Sequence, residues 1–139
     1  MTNPPAASLP AAEPAIRNLL ERLNEGFTQR DVHQVLSLFA PGPETVFIGS
    51  EADEIAAGPA QLRNLLEALF AREEIYHWRW GQLHINASGH TAWLVTQATL
   101  LVEGPQPLEL PYRITLVLQR CGNTWLIVHY HGSEPAPSP

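Results

Sequence analysis

Residues 108–133 read LELPYRITLVLQRCGNTWLIVHYHGS, two runs rich in β-branched and aromatic residues that meet at Cys121-Gly122-Asn123. Turn chemistry between two such runs predicts a β-hairpin. A three-residue loop at 121–123 would set Arg120 opposite Thr124. Counting from there places Gln119 across from Trp125, Val117 from Ile127, Thr115 from His129 and Arg113 from His131. Side chains alternate along a strand, so these residues should share one face. The other face collects Tyr112, Ile114, Leu116 and Leu118 with Leu126, Val128 and Tyr130, and is plainly apolar. A solvated face has little use for Trp125 and Ile127, and a dry core has little use for Arg113 and two histidines. The mixed face therefore reads as a half-buried cleft, apolar with a few convergent polar groups.

Upstream lie two more strand-like runs, at about 75–86 and 91–102, separated by Asn86-Ala87-Ser88-Gly89 and Glu103-Gly104-Pro105-Gln106-Pro107. Connections this short join antiparallel neighbours, so the four runs predict a meander. A matching register would add Trp93, Val95, Gln97 and Thr99 to the cleft. For the 75–86 run two parities stand: Tyr76, Trp78 and Trp80 join the cleft, or His77 and Arg79 do.

The first half of the chain is helical in pattern. Ile16, Leu19, Leu20, Leu23 and Phe27 recur at helical spacing after Pro14, a residue suited to a first turn. Asp31 can cap a short second helix carrying Val32, Val35, Leu36 and Phe39. Residues 45–49 (TVFIG) read as a short strand, followed by the acidic turn Ser50-Glu51-Ala52-Asp53-Glu54. Gly58-Pro59 opens a third helix with Leu62, Leu65, Leu66, Leu69 and Phe70 on one side. Helices first and sheet last predict an α+β domain, with three N-terminal helices packed on one face of a curved antiparallel sheet. The expected boundaries are a disordered lead at 1–13, one domain at 14–133 and a frayed, Pro-rich tail at 134–139.

Composition narrows the chemistry. The 139 residues fit one domain. The net charge is −6, and the eight basic residues are scattered singly, which argues against a nucleic-acid partner. All eight are Arg; without Lys there is no Schiff-base or phosphate-loop lysine chemistry. Cys121 is the single cysteine, so neither an internal disulfide nor a cysteine-built zinc site can form. In its tight turn it reads as inert. No run approaches the roughly 20 apolar residues that span a bilayer, so no membrane partner is expected and the simplest compartment is the cytoplasm.

Each candidate residue carries two readings. His129 and His131 can point at one ligand as acid/base groups or hydrogen-bond donors; alternatively they are satisfied core or interface histidines. No metal site is expected, because spacing implies no third ligand. Arg113 could clamp an anion with its planar fork, or pair with Glu109 or the acidic turn. Glu54, with Glu51 and Asp53, could supply a carboxylate at the mouth of a cavity, or belong to a solvated turn. Trp78, Trp80 and Trp93 suit a flat apolar ligand, or simply core packing.

The order helix–helix–strand–helix–meander resembles the nuclear transport factor 2-like fold, a cone with a cavity, and within it the SnoaL-like group. The resemblance rests on Phe47-Ile48-Gly49-Ser50…Asp53-Glu54…Gly58, on Ala92-Trp93 and Thr115-Leu116-Val117, and on the closing residues 125–133 (WLIVHYHGS). It spans about residues 14–135 and places Glu54 at a matching family position. The closing segment also resembles the association domain of calcium/calmodulin-dependent kinases. Ketosteroid isomerase, an enzyme of this fold, needs a carboxylate and a tyrosine where this chain has Ile48 and Leu23, so that design is not present here. This superfold hosts enzymes and assembly modules alike.

The expectation is a small-molecule-binding domain forming a homodimer through exposed sheet surface. Its cavity would be lined by Arg113, Thr115, Gln97, Trp93, Trp125, Trp78, His129 and His131 and would hold a small, partly apolar, anionic compound. If an enzyme, it would be an isomerase, cyclase or hydratase needing no cofactor. The competing class is an assembly module with a filled cone, and cavity volume discriminates the two.

Overall fold

In the computed structural model, which describes residues 9–138, three helices lie against one face of a curved, unclosed six-stranded sheet. Helix α1 runs Leu9–Thr28, α2 Val32–Ser37 and α3 Pro59–Phe70. The strands are β1 (Val46–Ile48), β2 (Ile55–Ala57), β3 (Ile75–Ser88), β4 (Thr91–Glu103), β5 (Leu108–Cys121) and β6 (Thr124–Ser133). Their order across the sheet is β2-β1-β6-β5-β4-β3. All neighbours are antiparallel except β1 and β6, which pair in parallel with Phe47 beside Tyr130.

The helix signals act as anticipated. Asp31 Oδ1 accepts from the Gln34 backbone N–H at 3.0 Å, which starts α2, and Pro59 opens α3 after Gly58. Helix α1 begins earlier than Pro14, so residues 9–13, expected in the lead, are helical. The rest of that lead, residues 1–8, lies outside the described residues. Strand β2 was not anticipated; three residues after the acidic turn pair back onto β1.

The core sits between the helices and the inner sheet face. Ile16, Leu20 and Leu23 of α1 and Leu62 and Leu66 of α3 bury against Leu94, Ile114, Leu116, Leu118 and Ile127. Asn24 ties α1 to the free edge of the sheet at β3. Its side chain accepts from the Trp78 N–H at 2.7 Å and donates to the Trp78 carbonyl at 2.9 Å. Those backbone groups would otherwise be an unpaired edge.

The last hairpin departs from the expected register. Cys121 pairs with Thr124, so the turn holds two residues, Gly122 and Asn123, and Arg120 faces Trp125. The pairing then shifts between Leu118–Ile127 and Val117–His129, leaving Val128 as an extra residue on β6. This is a β-bulge, and it exchanges the faces beyond it. Trp125 and Ile127 therefore point to the core with Leu118, while His129 and His131 turn to the opposite face with Val117 and Thr115. A second bulge on β3, between Trp80 and Leu83, adds to the bend. At that bulge Gly81 lies so close to the Gln97 carbonyl that no side chain would fit.

Candidate functional site

Between the inner sheet face, α1, α3 and the β1–β2 turn lies a cavity of about 420 Å³. Its apolar wall comes from Phe27 of α1, Leu69 of α3, Phe47 of β1, Leu100 and Val102 of β4, and Leu110 of β5. Trp78 is wedged edge-on against Phe27, with centroids 4.7 Å apart, and stacks on Trp80 at 5.4 Å.

The polar groups of the cavity are carboxyls and phenols. Glu54 lines it, and its Oε1 accepts from the Glu51 backbone N–H at 2.9 Å. Gly49 makes room for this side chain, since a Cβ there would approach Glu54 to 2.9 Å. Burial raises the Glu54 carboxyl above its ordinary value, and the charges of Glu51 and Asp53 push the same way. Glu51, three residues earlier, turns outward to Arg72 in a two-pronged ion pair of 2.9 and 3.1 Å. The hydrogen bonds from Arg72 hold Glu51 below the usual carboxylate range. One turn thus carries two carboxyls with opposite tendencies, the arrangement that separates a proton-holding group from an ionised one.

Tyr112 and Tyr130 stand side by side on β5 and β6, their hydroxyls 3.2 Å apart. Tyr130 is 1% exposed and stacks flat on Phe47, with centroids 4.1 Å apart. Burial raises both phenols, Tyr130 well above its ordinary value, so both keep their protons at neutral pH. A buried hydroxyl needs an acceptor, and Tyr112 Oη is the one beside Tyr130. Either hydroxyl can donate in this contact. Gly132 makes this geometry possible: a Cβ at that position would collide with the Tyr112 hydroxyl.

The expected site residues divide sharply. Glu54 and Trp78 line the cavity. Of the two parities open for β3, the one carrying Tyr76 and Trp78 faces it. Trp93, Gln97, Arg113 and Thr115 do share a face with His129 and His131, as the alternation implied. That face, however, points away from the helices: Arg113, Thr115, Gln97 and His131 are exposed, and Trp93 is 40% exposed. None of these six lines the cavity. His129 and His131 have ring centroids 6.4 Å apart, on the outer surface. Trp125 is buried beside α1, does not line the cavity, and lines a smaller hollow with Leu19 and Leu38. Glu109, offered as a partner for Arg113, stands 3.7 Å from Arg79.

Charge balance in the cavity changes accordingly. Glu51, Glu54, Glu74 and Glu134 line it against one guanidinium, Arg72, which is already engaged with Glu51. The cation that would have recognised an anion is on the other side of the sheet. Sequence reasoning missed Tyr112 and Tyr130, which alternation had assigned to the apolar face. Two signals pointed to them: buried tyrosines need hydroxyl partners, and a glycine inside a strand marks close approach of another group. Among the described residues no cluster of three or more His, Cys, Asp or Glu is placed to hold a metal ion. No helix among them is long and apolar enough to cross a membrane.

Comparison with known proteins agrees with this architecture. No curated protein matches the chain. Among solved structures, a nuclear transport factor 2-like protein of unknown function from Pseudomonas putida KT2440 superposes with a TM-score of 0.80 at 21% identity, covering 94% of this chain and 92% of that one. A candidate dehydratase of the same family from Streptomyces avermitilis gives 0.78 at 16% identity, with 92% and 99% covered. A candidate calcium/calmodulin dependent protein kinase II association domain from Xanthomonas campestris gives 0.76 at 20% identity, with 99% of each chain covered. At these identities the likeness speaks for the fold alone. Residues 16–137 match the SnoaL-like domain family, and the chain belongs to that family.

Proposed function

We propose that this domain binds a small, partly apolar molecule in the cavity between the helices and the inner sheet face, and that Glu54 exchanges a proton with it. The observation that carries the proposal is the Glu54 carboxyl, held protonatable by burial in a cavity of about 420 Å³ that also contains two tyrosine hydroxyls. A volume of several hundred cubic ångströms suits a ligand and not a filled cone. The acidic lining, with its single guanidinium already paired, favours a neutral or cationic molecule over the anion expected from sequence.

The chemistry open to such a site is general acid–base catalysis: isomerisation, cyclisation or hydration, in which a positioned carboxyl gives or takes a proton. Glu54 replaces His129 and His131 as the acid/base candidate, because it alone of the three reaches the cavity. Association through the outer sheet face belongs to the same proposal. Trp93 and Val95, 40% and 44% exposed there, offer apolar area to a second copy. The proposal also places the chain in the cytoplasm, on composition alone: one cysteine, and so no internal disulfide.

Native mass spectrometry of the purified protein tests the reading. A co-purifying small molecule should be retained by Arg113→Ala and lost by Leu100→Trp, which fills the cavity. Loss with Arg113→Ala and retention with Leu100→Trp would move the site to the outer face.

A further inference from the structure

Glu51, Glu54, Glu74 and Glu134 line the cavity, and of these only Glu51 has an ion pair among the described residues, with Arg72. Glu54 is half-buried, and its single hydrogen bond among those residues comes from the Glu51 N–H to Oε1. Its Oε2 is left without a protein donor. The charge of Arg72 reaches Glu54 from its pair with Glu51, yet burial outweighs it and the Glu54 carboxyl stays raised. The same carboxylate acts on the phenols of the wall. Burial is the main cause of their rise, but the Glu54 charge adds to it at both Tyr112 and Tyr130, and the Glu134 charge adds to it at Tyr112. The cavity thus combines a negative field with apolar walls from Phe27, Phe47, Leu69 and Leu100. A carboxylate taken out of water without a counter-ion is costly, and the one guanidinium of the lining is spent on Glu51.

We propose that the cavity takes an organic cation, a protonated amine carried on an aryl or alicyclic body, with the Glu54 carboxylate as its counter-ion. An ammonium offers only donors and an ionised carboxyl only lone pairs, so the two form a charge-assisted hydrogen bond. An anion would be repelled by the same carboxyl groups, and a neutral molecule would leave Glu54 uncompensated. The apolar walls receive the body of the ligand, and their low polarity strengthens the ion pair. An amine that arrives neutral takes the carboxyl proton of Glu54: the O–H bond breaks, an N–H bond forms on the amine nitrogen, and the same ammonium–carboxylate pair results. This gives the proton exchange of Glu54 a partner, the nitrogen of the ligand. All of it rests on the cavity being the ligand site.

Three probes of similar size test the charge: 1-(2-naphthyl)ethylamine, protonated at neutral pH; 2-acetylnaphthalene, neutral; and 2-naphthoate, an anion. Water solvates the ammonium better than the ketone, so tighter binding of the ammonium requires compensation by the protein. In NMR titrations the full chain should bind the ammonium about tenfold more tightly than the ketone, the scale of one charge-assisted hydrogen bond. The naphthoate should bind most weakly. Glu54→Gln should cut the preference to about twofold, the remainder due to Glu74 and Glu134, with its amide spectrum reporting that it is folded. Glu103→Gln removes the same charge outside the cavity, beside His77, and should keep the full preference. Independently of any variant, saturation with the ammonium should lower the titration midpoint of Glu54 read by carbon NMR, and the ketone should not. Equal affinities for ammonium and ketone, or a preference that survives Glu54→Gln or falls equally with Glu103→Gln, would overturn the counter-ion and leave the cavity reading standing. If none of the three probes shifts the resonances of Leu100 and Tyr112, the cavity reading falls and the counter-ion with it.

Discussion

The backbone N–H of Glu51 donates to Glu54 Oε1 at 2.9 Å, while the Glu51 carboxylate turns away to Arg72; burial outweighs that N–H and raises the Glu54 carboxyl, whereas the Arg72 hydrogen bonds lower that of Glu51. Titration followed by carbon NMR should find Glu54 above the ordinary carboxylate value of 4.5 and Glu51 below it. The linkage has a definite sign. Because the folded state holds the Glu54 proton more tightly than the unfolded chain, its contribution favours folding below 4.5 and is lost as pH rises through the raised value. Glu54→Gln should therefore match wild-type stability in acid and exceed it at neutral pH. A stability difference of the opposite sign would mean that Glu54 is better solvated than its place in the cavity wall implies.

Gly132 and Tyr112 form a second coupled pair. Gly132→Ala should destabilise the fold by about 1–3 kcal/mol, the usual cost of overpacking, because the Tyr112 hydroxyl occupies the space its Cβ needs. Removing the hydroxyl should relieve the closest part of the clash, with the ring carbons Cε1 and Cζ still crowding the added methyl. In a double-mutant cycle measured by urea unfolding, Gly132→Ala should cost less in the Tyr112→Phe background than in the wild type. Additive effects would mean that the hydroxyl adds nothing to the crowding at Gly132.

Asn24 is the anchor of Trp78. Replacing it by Ala leaves a backbone N–H and a carbonyl at the sheet edge without their partners. The expected loss is about 1–3 kcal/mol, read by chemical denaturation. Amide exchange at Trp78 should quicken more than at Leu94, in the centre of the sheet.

The outer face should separate from the cavity in function. Arg113→Ala and His131→Ala should leave binding of a cavity ligand unchanged, since both side chains are exposed on the far side of the sheet. Trp93→Asp, on that same face, should lower the mass seen by analytical ultracentrifugation if the face joins two copies. A wild-type chain that sediments as a monomer at high concentration would refute that part of the proposal.

Much of the architecture was legible because it depends on averaged signals. The leucine stripes of α1 and α3, the Asp31 cap and the breaks between the sheet runs each act locally, although the β3–β4 turn falls at Gly89-His90, later than the 86–89 expected, and the last turn at Gly122-Asn123. The site was less legible because it turns on one residue. A two-residue turn and the extra Val128 cannot be read from alternation, since valine suits a paired and an unpaired strand position equally. Without them the count mixed Trp125 and Ile127 with the histidines, and the mixture looked like a cleft. In the structure the mixture resolves: the apolar pair belongs to the core and the imidazoles to the outside. The face-mates Trp93, Gln97, Arg113 and Thr115 were grouped correctly, because no bulge intervenes between β4 and β5. Glu54 and Trp78 were the two expected site residues that reached the cavity. Strand β2 escaped notice because three residues give no periodicity to count.

The most direct test of a ligand site between helices and sheet is a map of amide and indole NMR shifts on adding 2-acetylnaphthalene. Shifts are expected at Phe27, Trp78, Leu100, Tyr112 and Tyr130, which line the cavity. Shifts confined to Trp93, Arg113, Thr115 and His131 would contradict it and return the site to the outer face.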